Sequence, residues 1–106
     1  MAIMEISIVP VGTGSPSVSR YVAEVIKEIP EEKDVTYKLT PMGTVIQSES
    51  IEKLFEIAKR MHESVFEKHI DRVVTDIRVD DRRDKSITME SKLDSVNSKI
   101  GTGDGV

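Results

Sequence analysis

The stretch from Tyr37 to Gln47 reads Tyr-Lys-Leu-Thr-Pro-Met-Gly-Thr-Val-Ile-Gln, and the rest of the chain is arranged on either side of it. Apolar and polar residues alternate before Pro41 and again after Gly43, which is the spacing of β-strands. Proline fixes φ and glycine permits a positive φ, so Pro-Met-Gly between two such runs predicts a tight turn. This segment is therefore predicted to be a β-hairpin.

The segments that flank the hairpin repeat one plan. A β-type run and then a helical-period run precede it, and a helical-period run and then a β-type run follow it. The order β-α-β-β-α-β predicts an α+β protein, a ferredoxin-like sandwich forming a single domain over residues 1–100. Composition alone predicts a disordered tail over 101–106. The predicted elements are a strand over Ile3–Pro10, a helix with a stripe from Val18 to Ile29, a helix after Ser50, a strand over Asp71–Asp80 and a short third helix over Met89–Ile100.

Both long helices are predicted to begin at hydroxyl residues. Ser15 or Ser17 is the predicted N-cap of the first helix, and Pro30 marks its far end. Ser50 is the predicted N-cap of the second helix. The apolar stripe of that second helix is predicted to consist of Ile51, Leu54, Phe55, Ala58, Met61, Val65 and Phe66.

Composition bounds the class of protein. With 106 residues, 38% of them hydrophobic and 4% aromatic, the chain can build one core from Val, Ile, Leu and Met. A net charge of −4 argues against a nucleic-acid partner, because binding to phosphates requires an excess of clustered Lys and Arg. The lack of cysteine excludes disulfides and thiolate chemistry. No run has the length of a signal-peptide apolar region or a membrane span, so a soluble cytoplasmic protein with no membrane partner is expected.

Four strands with two helices on one face leave the other face of the predicted sheet open. That face is predicted to carry Ile3, Val9 and Val74 among Glu5, Ser7, Lys38, Gln47 and Asp76. Such a surface is too apolar to be plainly solvated and too polar to be a core. Self-association through the sheets, with a polar-lined pocket in or near the seam, is therefore expected.

The segment from Gly12 to Ser17 follows a predicted strand and precedes a predicted helix, which is the context of a dinucleotide-binding fingerprint. Ser17 stands where the third glycine would be, and the chain is too short for a full Rossmann fold, so a dinucleotide site is not expected. Two interpretations remain open. The backbone N–H groups and hydroxyls of this loop contact an anion or polar ligand, or the loop only turns and caps the helix.

No constellation for catalysis or metal binding is evident. His62 lies on the apolar stripe, where a histidine is more often hydrogen-bonded in a core than a ligand or base. His69 follows seven residues later, which is not the four-residue spacing of a helical metal site, so no metal is expected. The charge run from Asp80 to Lys85 is either a solvated turn or an ion-pair patch between subunits. A non-enzymatic protein without a cofactor is predicted, with a small enzyme using His62 as base as a third hypothesis.

Several separated motifs between about Ile6 and Val96 look like those of the small thiamine-binding protein family. They are Ser7–Ser15 with Ser17–Val22, Thr40–Thr44 with Val45 and Ile46, His62 with Glu63, Arg72 with Val73, and Asp80–Lys85. The resemblance implies ferredoxin-like protomers whose sheets pack into dimers, often paired again into tetramers. It also implies binding of thiamine or its hydroxymethylpyrimidine precursor without chemical transformation.

A ligand pocket lined by the first strand, the Gly-Thr-Gly-Ser loop and the hairpin follows from this resemblance. Its predicted residues are Ser7, Thr13, Ser17, Ser19, Thr44 and Gln47 as hydrogen-bonding groups and Met42 as an apolar wall. The family usually has Ile-Glu-Gly where this chain has Ile46-Gln47-Ser48. Gln47 can hydrogen-bond a pyrimidine edge but supplies no charge, and Gln47→Ala is expected to weaken binding with little change in melting temperature. The alternative is a structural or regulatory oligomer with no thiamine ligand.

Overall fold

The computed structural model describes residues 1–101, within which the chain forms a four-stranded sheet and three helices. In chain order they are β1 (Ala2–Val11), α1 (Ser19–Ile26), β2 (Thr36–Thr40), β3 (Gly43–Ser48), α2 (Ile51–Phe66), β4 (Arg72–Asp81) and α3 (Met89–Gly101). The predicted α+β ferredoxin-like order with a short C-terminal helix is confirmed. Helix α3 includes Gly101, the first residue of the predicted tail, and the rest of that tail, 102–106, lies outside the described residues. Over residues 1–101, no helix has the length and apolar character required to cross a membrane.

Strand β1 lies inside the sheet and defines its two faces. The strand order is β2-β3-β1-β4, and every neighbouring pair is antiparallel. Met4 of β1 pairs with Ile46 of β3, whereas the preceding residue, Ile3, pairs with Gln47. Side chains alternate along a strand. Met4 and the residues on its side of the sheet therefore pack against α1 and α2, whereas Ile3 and the residues on its side point the opposite way. We call these the helix face and the open face of the sheet.

The main core lies between the helix face and helices α1 and α2. Its members that are no more than 2% exposed are Ala2, Met4, Ile6, Ile46, Leu54, Ile57, Ala58, Met61 and Val65. The predicted stripe of α2 was wrong in part: Ile57 is buried, whereas Phe55 and Phe66 are 52% and 41% exposed. Leu54, Ile57 and Met61 are spaced by three and four residues and face the sheet, which leaves the two phenylalanines on the flank of the helix.

The predicted hairpin is confirmed, but its glycine serves a different purpose. Thr40 pairs with Gly43 across a two-residue turn, and the Thr40 hydroxyl accepts the N–H groups of Met42 at 3.3 Å and Gly43 at 3.1 Å. Among the described glycines, positive φ occurs at Gly12 and Gly14, not at Gly43. A Cβ at position 43 would lie 2.9 Å from the carbonyl oxygen of Ile6. Glycine is therefore required here because β3 approaches the backbone of β1 closely.

Helices α1 and α2 begin differently. The Ser50 hydroxyl accepts the N–H of Lys53 at 3.1 Å, so the predicted cap of α2 is confirmed. The predicted cap of α1 was wrong, because Val18 occupies the N-cap position and makes no side-chain cap. The hydroxyl of Ser15 instead accepts the N–H of Ser17 at 3.2 Å, within the preceding loop. These hydroxyls therefore shape the loop rather than satisfy the helix.

Helix α3 covers one end of the open face. Ile87 and Met89 are each 7% exposed and pack against Ile3, which is 9% exposed. The expectation of an uncovered face is therefore wrong at this end of the sheet. At the other end, Val9 and Val74 are register partners and each remains 43% exposed.

Candidate ligand-binding site

A cavity of about 260 Å³ lies beneath the tip of the β2–β3 hairpin, bounded by that hairpin, β1, α1 and Met61 of α2. Its walls are predominantly aliphatic, and the lining residues are Ile6, Ser7, Ile8, Val9, Val18, Val22, Val25, Leu39, Thr40, Pro41, Met42, Gly43, Thr44 and Met61. Pockets for drug-sized molecules usually measure roughly 300–1,000 Å³. This cavity therefore suits a molecule built on one small ring.

Thr44 supplies a buried polar group to this hairpin cavity. Its backbone pairs with Ile6, so its side chain lies on the helix face, and the residue is 5% exposed. Within residues 1–101, the Thr44 hydroxyl has no protein hydrogen-bond partner, and it is not sealed from solvent. The Thr40 hydroxyl, by contrast, is already engaged by the hairpin turn. The Thr44 hydroxyl can therefore form a hydrogen bond with a donor or an acceptor group of a ligand, within a wall that is otherwise apolar.

Met42 forms part of the cavity rim. It occupies the hairpin tip and is 82% exposed. A methionine side chain has three rotatable bonds and a polarizable sulfur, so it adapts its shape to a neighbouring ring. Met42 is thus placed to close over a ligand in the hairpin cavity.

Three predicted site residues meet at this cavity, and three others lie in or next to the loop that joins β1 to α1. Ser7 joins Met42 and Thr44 in the lining. Thr13 and Ser17 lie in the loop between β1 and α1, Ser19 is the first residue of α1, and none of the three is among the lining residues. The hydroxyl of Thr13 donates to the Ser15 carbonyl at 2.7 Å, and Gly12 and Gly14 adopt positive φ values of 82° and 78°. These contacts support the interpretation of a turning loop.

Gln47 is separated from the hairpin cavity by the sheet. It lies on the open face, is 9% exposed, and its Oε1 accepts the N–H of Met89 at 2.9 Å. That N–H belongs to the first residue of α3, whose first turn also contains a reciprocal cap between Thr88 and Ser91. The expectation that Gln47→Ala leaves the melting temperature unchanged is therefore revised, because the structure gives Gln47 a buried structural contact.

A second concavity, of about 540 Å³, lies on the open face beside α3. Ile3 and Val45 contribute apolar side chains from the sheet, and Met89 and Leu93 contribute them from the helix. We call this concavity the α3 groove. Charged residues from three strands and the helix also line it, namely Glu5, Lys38, Arg78, Asp80 and Lys92.

An ion-pair cluster fixes the N-terminal end of α2, away from both concavities. Lys53 Nζ lies 3.0 Å from Asp34 Oδ1 and 2.6 Å from Glu32 Oε2. The hydroxyl of Ser48 donates to Asp34 at 3.4 Å and accepts the N–H of Ser50 at 3.1 Å. The hydrogen bond from Lys53 lowers the pKa of Asp34 below its ordinary value of 3.8. This cluster connects the segment before β2 to α2.

The charge run at the end of β4 pairs largely with itself. Arg82 contacts Asp84 through Nε at 2.6 Å, and Arg83 contacts Asp81 through Nη2 at 2.8 Å. These contacts lower the pKa of both aspartates. Each of these arginines is paired with an aspartate of the same run. The run therefore resembles the predicted solvated turn more than an ion-pair patch between subunits.

His62 occupies a structural position on the flank of α2. Its Nδ1 lies 2.7 Å from the Thr75 hydroxyl of β4, and its ring meets Phe66 edge-on at a centroid distance of 5.4 Å. The residue is half-buried and lies outside both concavities. These contacts support the structural interpretation of His62.

The walls contributed by α1 were missed by sequence reasoning. Val18, Val22 and Val25 lie on the apolar stripe predicted from Val18 to Ile29, and the structure shows that this stripe also lines the hairpin cavity. The helical spacing of an apolar stripe does not distinguish residues of the core from residues that line a pocket.

Comparison with known proteins places these features in a family. A family model described as thiamine-binding protein matches residues 4–97. The UPF0045 protein YqgV of Bacillus subtilis is 48% identical over 103 residues, which covers 94% of this chain and 98% of YqgV. The crystal structure of the hypothetical protein MJ1052 from Methanocaldococcus jannaschii has a TM-score of 0.81 at 32% identity and covers 91% of this chain and 95% of that chain.

A more distant structure shares the fold. It is a Thermotoga maritima protein assigned provisionally to thiamine biosynthesis or salvage, with a TM-score of 0.69 at 20% identity over 90% of this chain and 97% of that chain. The family-model match spans nearly the whole chain, and the relatives are matched over nearly their full lengths. The chain belongs to the thiamine-binding protein family.

Proposed function

We propose that this protein binds thiamine or a related pyrimidine, hydroxymethylpyrimidine, in the hairpin cavity without transforming it. The observation that carries the proposal is the Thr44 hydroxyl, which has no hydrogen-bond partner within residues 1–101 and lies in an aliphatic cavity of about 260 Å³. A pyrimidine has apolar faces that suit such walls and a polar edge that needs at least one partner. Membership of the family supports this choice of ligand.

The predicted residues take different roles in this proposal. Thr44 hydrogen-bonds the ring substituents, Met42 covers the exposed face of the ring, and Ser7, whose side chain alternates to the open face, lines the cavity edge from β1. Thr13 and Ser17, in the segment that joins β1 to α1, and Ser19, at the start of α1, contribute to the mouth of the site. Gln47, whose side-chain carbonyl is engaged by α3 on the open face, holds that helix and does not contact the ligand.

The proposal includes self-association of cytoplasmic protomers through the part of the open face that α3 leaves uncovered. Val9, Val11 and Val74 are 43%, 40% and 43% exposed there. Burial of such apolar area is the usual driving force for subunit contact. The same observation favours the second candidate function, a structural or regulatory oligomer without a thiamine ligand.

Isothermal titration of the purified protein with hydroxymethylpyrimidine, and then with thiamine, tests the binding proposal. The parent is expected to bind near one ligand per protomer. Thr44→Val removes the hydroxyl at nearly constant volume, and a lost hydrogen bond corresponds to an affinity about 3- to 10-fold weaker. Thr36→Val, at an exposed position of β2, is the matched control and keeps the parent affinity. Absence of saturable heat for both ligands rejects the proposal in favour of the second candidate.

A further inference from the structure

The α3 groove lies on the opposite side of the sheet from the hairpin cavity and is built by a helix docked on a strand surface. Met89 and Leu93 are four residues apart, so both side chains lie on one side of α3. That side is turned toward Ile3 and Val45 of the sheet. The result is an apolar slot within the groove, whose whole volume is about 540 Å³.

Two ion pairs at this groove hold α3 on the sheet, and the four charged groups in them neutralise one another. Lys38 of β2 pairs with Glu90 at 3.3 Å, and Asp80 of β4 pairs with Lys92. Since β2 and β4 are the two edge strands, these contacts attach α3 at both sides of the sheet. The side chains that remain available to a ligand are therefore those placed between these two attachments.

Glu5 and Arg78 are the charged residues left at the groove. They are register partners on neighbouring strands, so both side chains point to the open face. Within residues 1–101, neither side chain takes part in an ion pair. Glu5 is half-buried on the inner strand β1, and Arg78 lies beside it on β4. The groove thus presents a carboxylate and a guanidinium a short distance apart next to an apolar slot.

The geometry points to a second binding site here, for a free α-amino acid with an apolar side chain. Its carboxylate would accept two hydrogen bonds from the Arg78 guanidinium, and its ammonium would donate to the Glu5 carboxylate. Register partners in an antiparallel pair have Cα atoms only about 4.5–5.5 Å apart, a separation that suits the compact charge pair of an amino acid. The amino-acid side chain lies in the groove against Val45 and Leu93, above the packed pair of Ile3 and Met89. This inference is independent of thiamine binding.

Isothermal titration with L-phenylalanine tests this assignment. The parent is expected to bind it, and both 2-phenylethylamine, which lacks the carboxylate, and 3-phenylpropanoate, which lacks the ammonium, are expected to bind about tenfold or more weakly. Arg78→Gln is expected to remove the preference for L-phenylalanine over 2-phenylethylamine. Glu5→Gln is expected to remove the preference for L-phenylalanine over 3-phenylpropanoate. Arg72→Gln, on the same strand and face but at the far end of β4, keeps the parent affinity.

The analogue series uses the unmodified protein, so it decides the question even where a variant does not fold. No saturable binding of L-phenylalanine up to about 10 mM overturns the inference. Equal affinity for L-phenylalanine and its two analogues also overturns it, because the charged pair would then play no part.

Discussion

Gln47 provides the clearest test of how α3 is held on the open face. Its side-chain carbonyl accepts the N–H of Met89, a residue 42 positions later in the chain. Backbone N–H groups in the first turn of a helix have no partner within the helix, so this acceptor comes from the sheet. Gln47→Met removes the acceptor while keeping most of the side-chain volume, and therefore isolates the hydrogen bond from any cavity effect.

The expected cost follows from the burial of both partners. Met89 is 7% exposed and Gln47 is 9% exposed, so water does not readily replace the lost acceptor. A buried donor left without a partner costs about 1–3 kcal/mol. For a domain of about 100 residues this corresponds to a lower melting temperature by roughly 4–8 °C per kcal/mol. Opening of the first turn of α3 then becomes roughly 5- to 150-fold more frequent.

Native-state hydrogen exchange at the Met89 amide measures this effect directly, and urea unfolding measures its share of global stability. Exchange at Met89 is expected to accelerate in Gln47→Met, with a lower unfolding midpoint. Glu49→Ala, at an exposed position just after β3, serves as the control and leaves both quantities near the parent values. Unchanged exchange at Met89 together with an unchanged midpoint would refute the assignment of Gln47 to helix docking.

Three further predictions concern the hairpin, the ion-pair cluster and the flank of α2. Gly43→Ala forces a Cβ to within 2.9 Å of a β1 carbonyl oxygen and is expected to lower the unfolding free energy by about 1–3 kcal/mol in urea titrations. An unaltered midpoint contradicts the close approach. The folded-state pKa of Asp34 is depressed by Lys53, so its contribution to stability is present above its ordinary pKa of 3.8 and is lost as pH falls through the depressed value. The difference in melting temperature between the parent and Asp34→Asn should therefore shrink on acidification below about pH 4, and a constant difference counts against the pairing. Thr75→Val and His62→Gln should each cost about 0.5–1.5 kcal/mol by urea titration without altering ligand affinity, whereas a large change in affinity at constant stability would return His62 to a functional role.

The elements that could be predicted from the sequence were those with a local cause. Alternation around Pro41 marked the hairpin, and Ser50 marked the start of α2, because the partners of these residues are a few positions away. The α1 cap was mispredicted because the nearby hydroxyls had competing partners inside their own loop, as the contact between Ser15 and Ser17 shows. Phe55 was misassigned because an apolar residue on the flank of a helix is indistinguishable by spacing from one beneath it.

The candidate site was predictable only in the part that the hairpin and β1 supply. Met42 and Thr44 lie in one short segment, so their meeting at the cavity follows from the turn. Gln47 follows Thr44 by three residues and so falls on the opposite face of a strand whose side chains alternate. Its partner Met89 is contributed by a helix far along the chain, and no local pattern indicates on which face of the sheet that helix docks.

Binding of a small pyrimidine in the hairpin cavity is the central claim, and a methyl-resolved NMR titration with hydroxymethylpyrimidine tests it most directly. We expect the methyl resonances of Val22, Val25 and Met42 to shift with one saturable curve, because these residues line the hairpin cavity. The methyl groups of Val45 and Leu93 line the α3 groove and serve as internal controls, whose resonances are expected not to shift. Shifts confined to Val45 and Leu93, or no saturable shift at all, would contradict the claim.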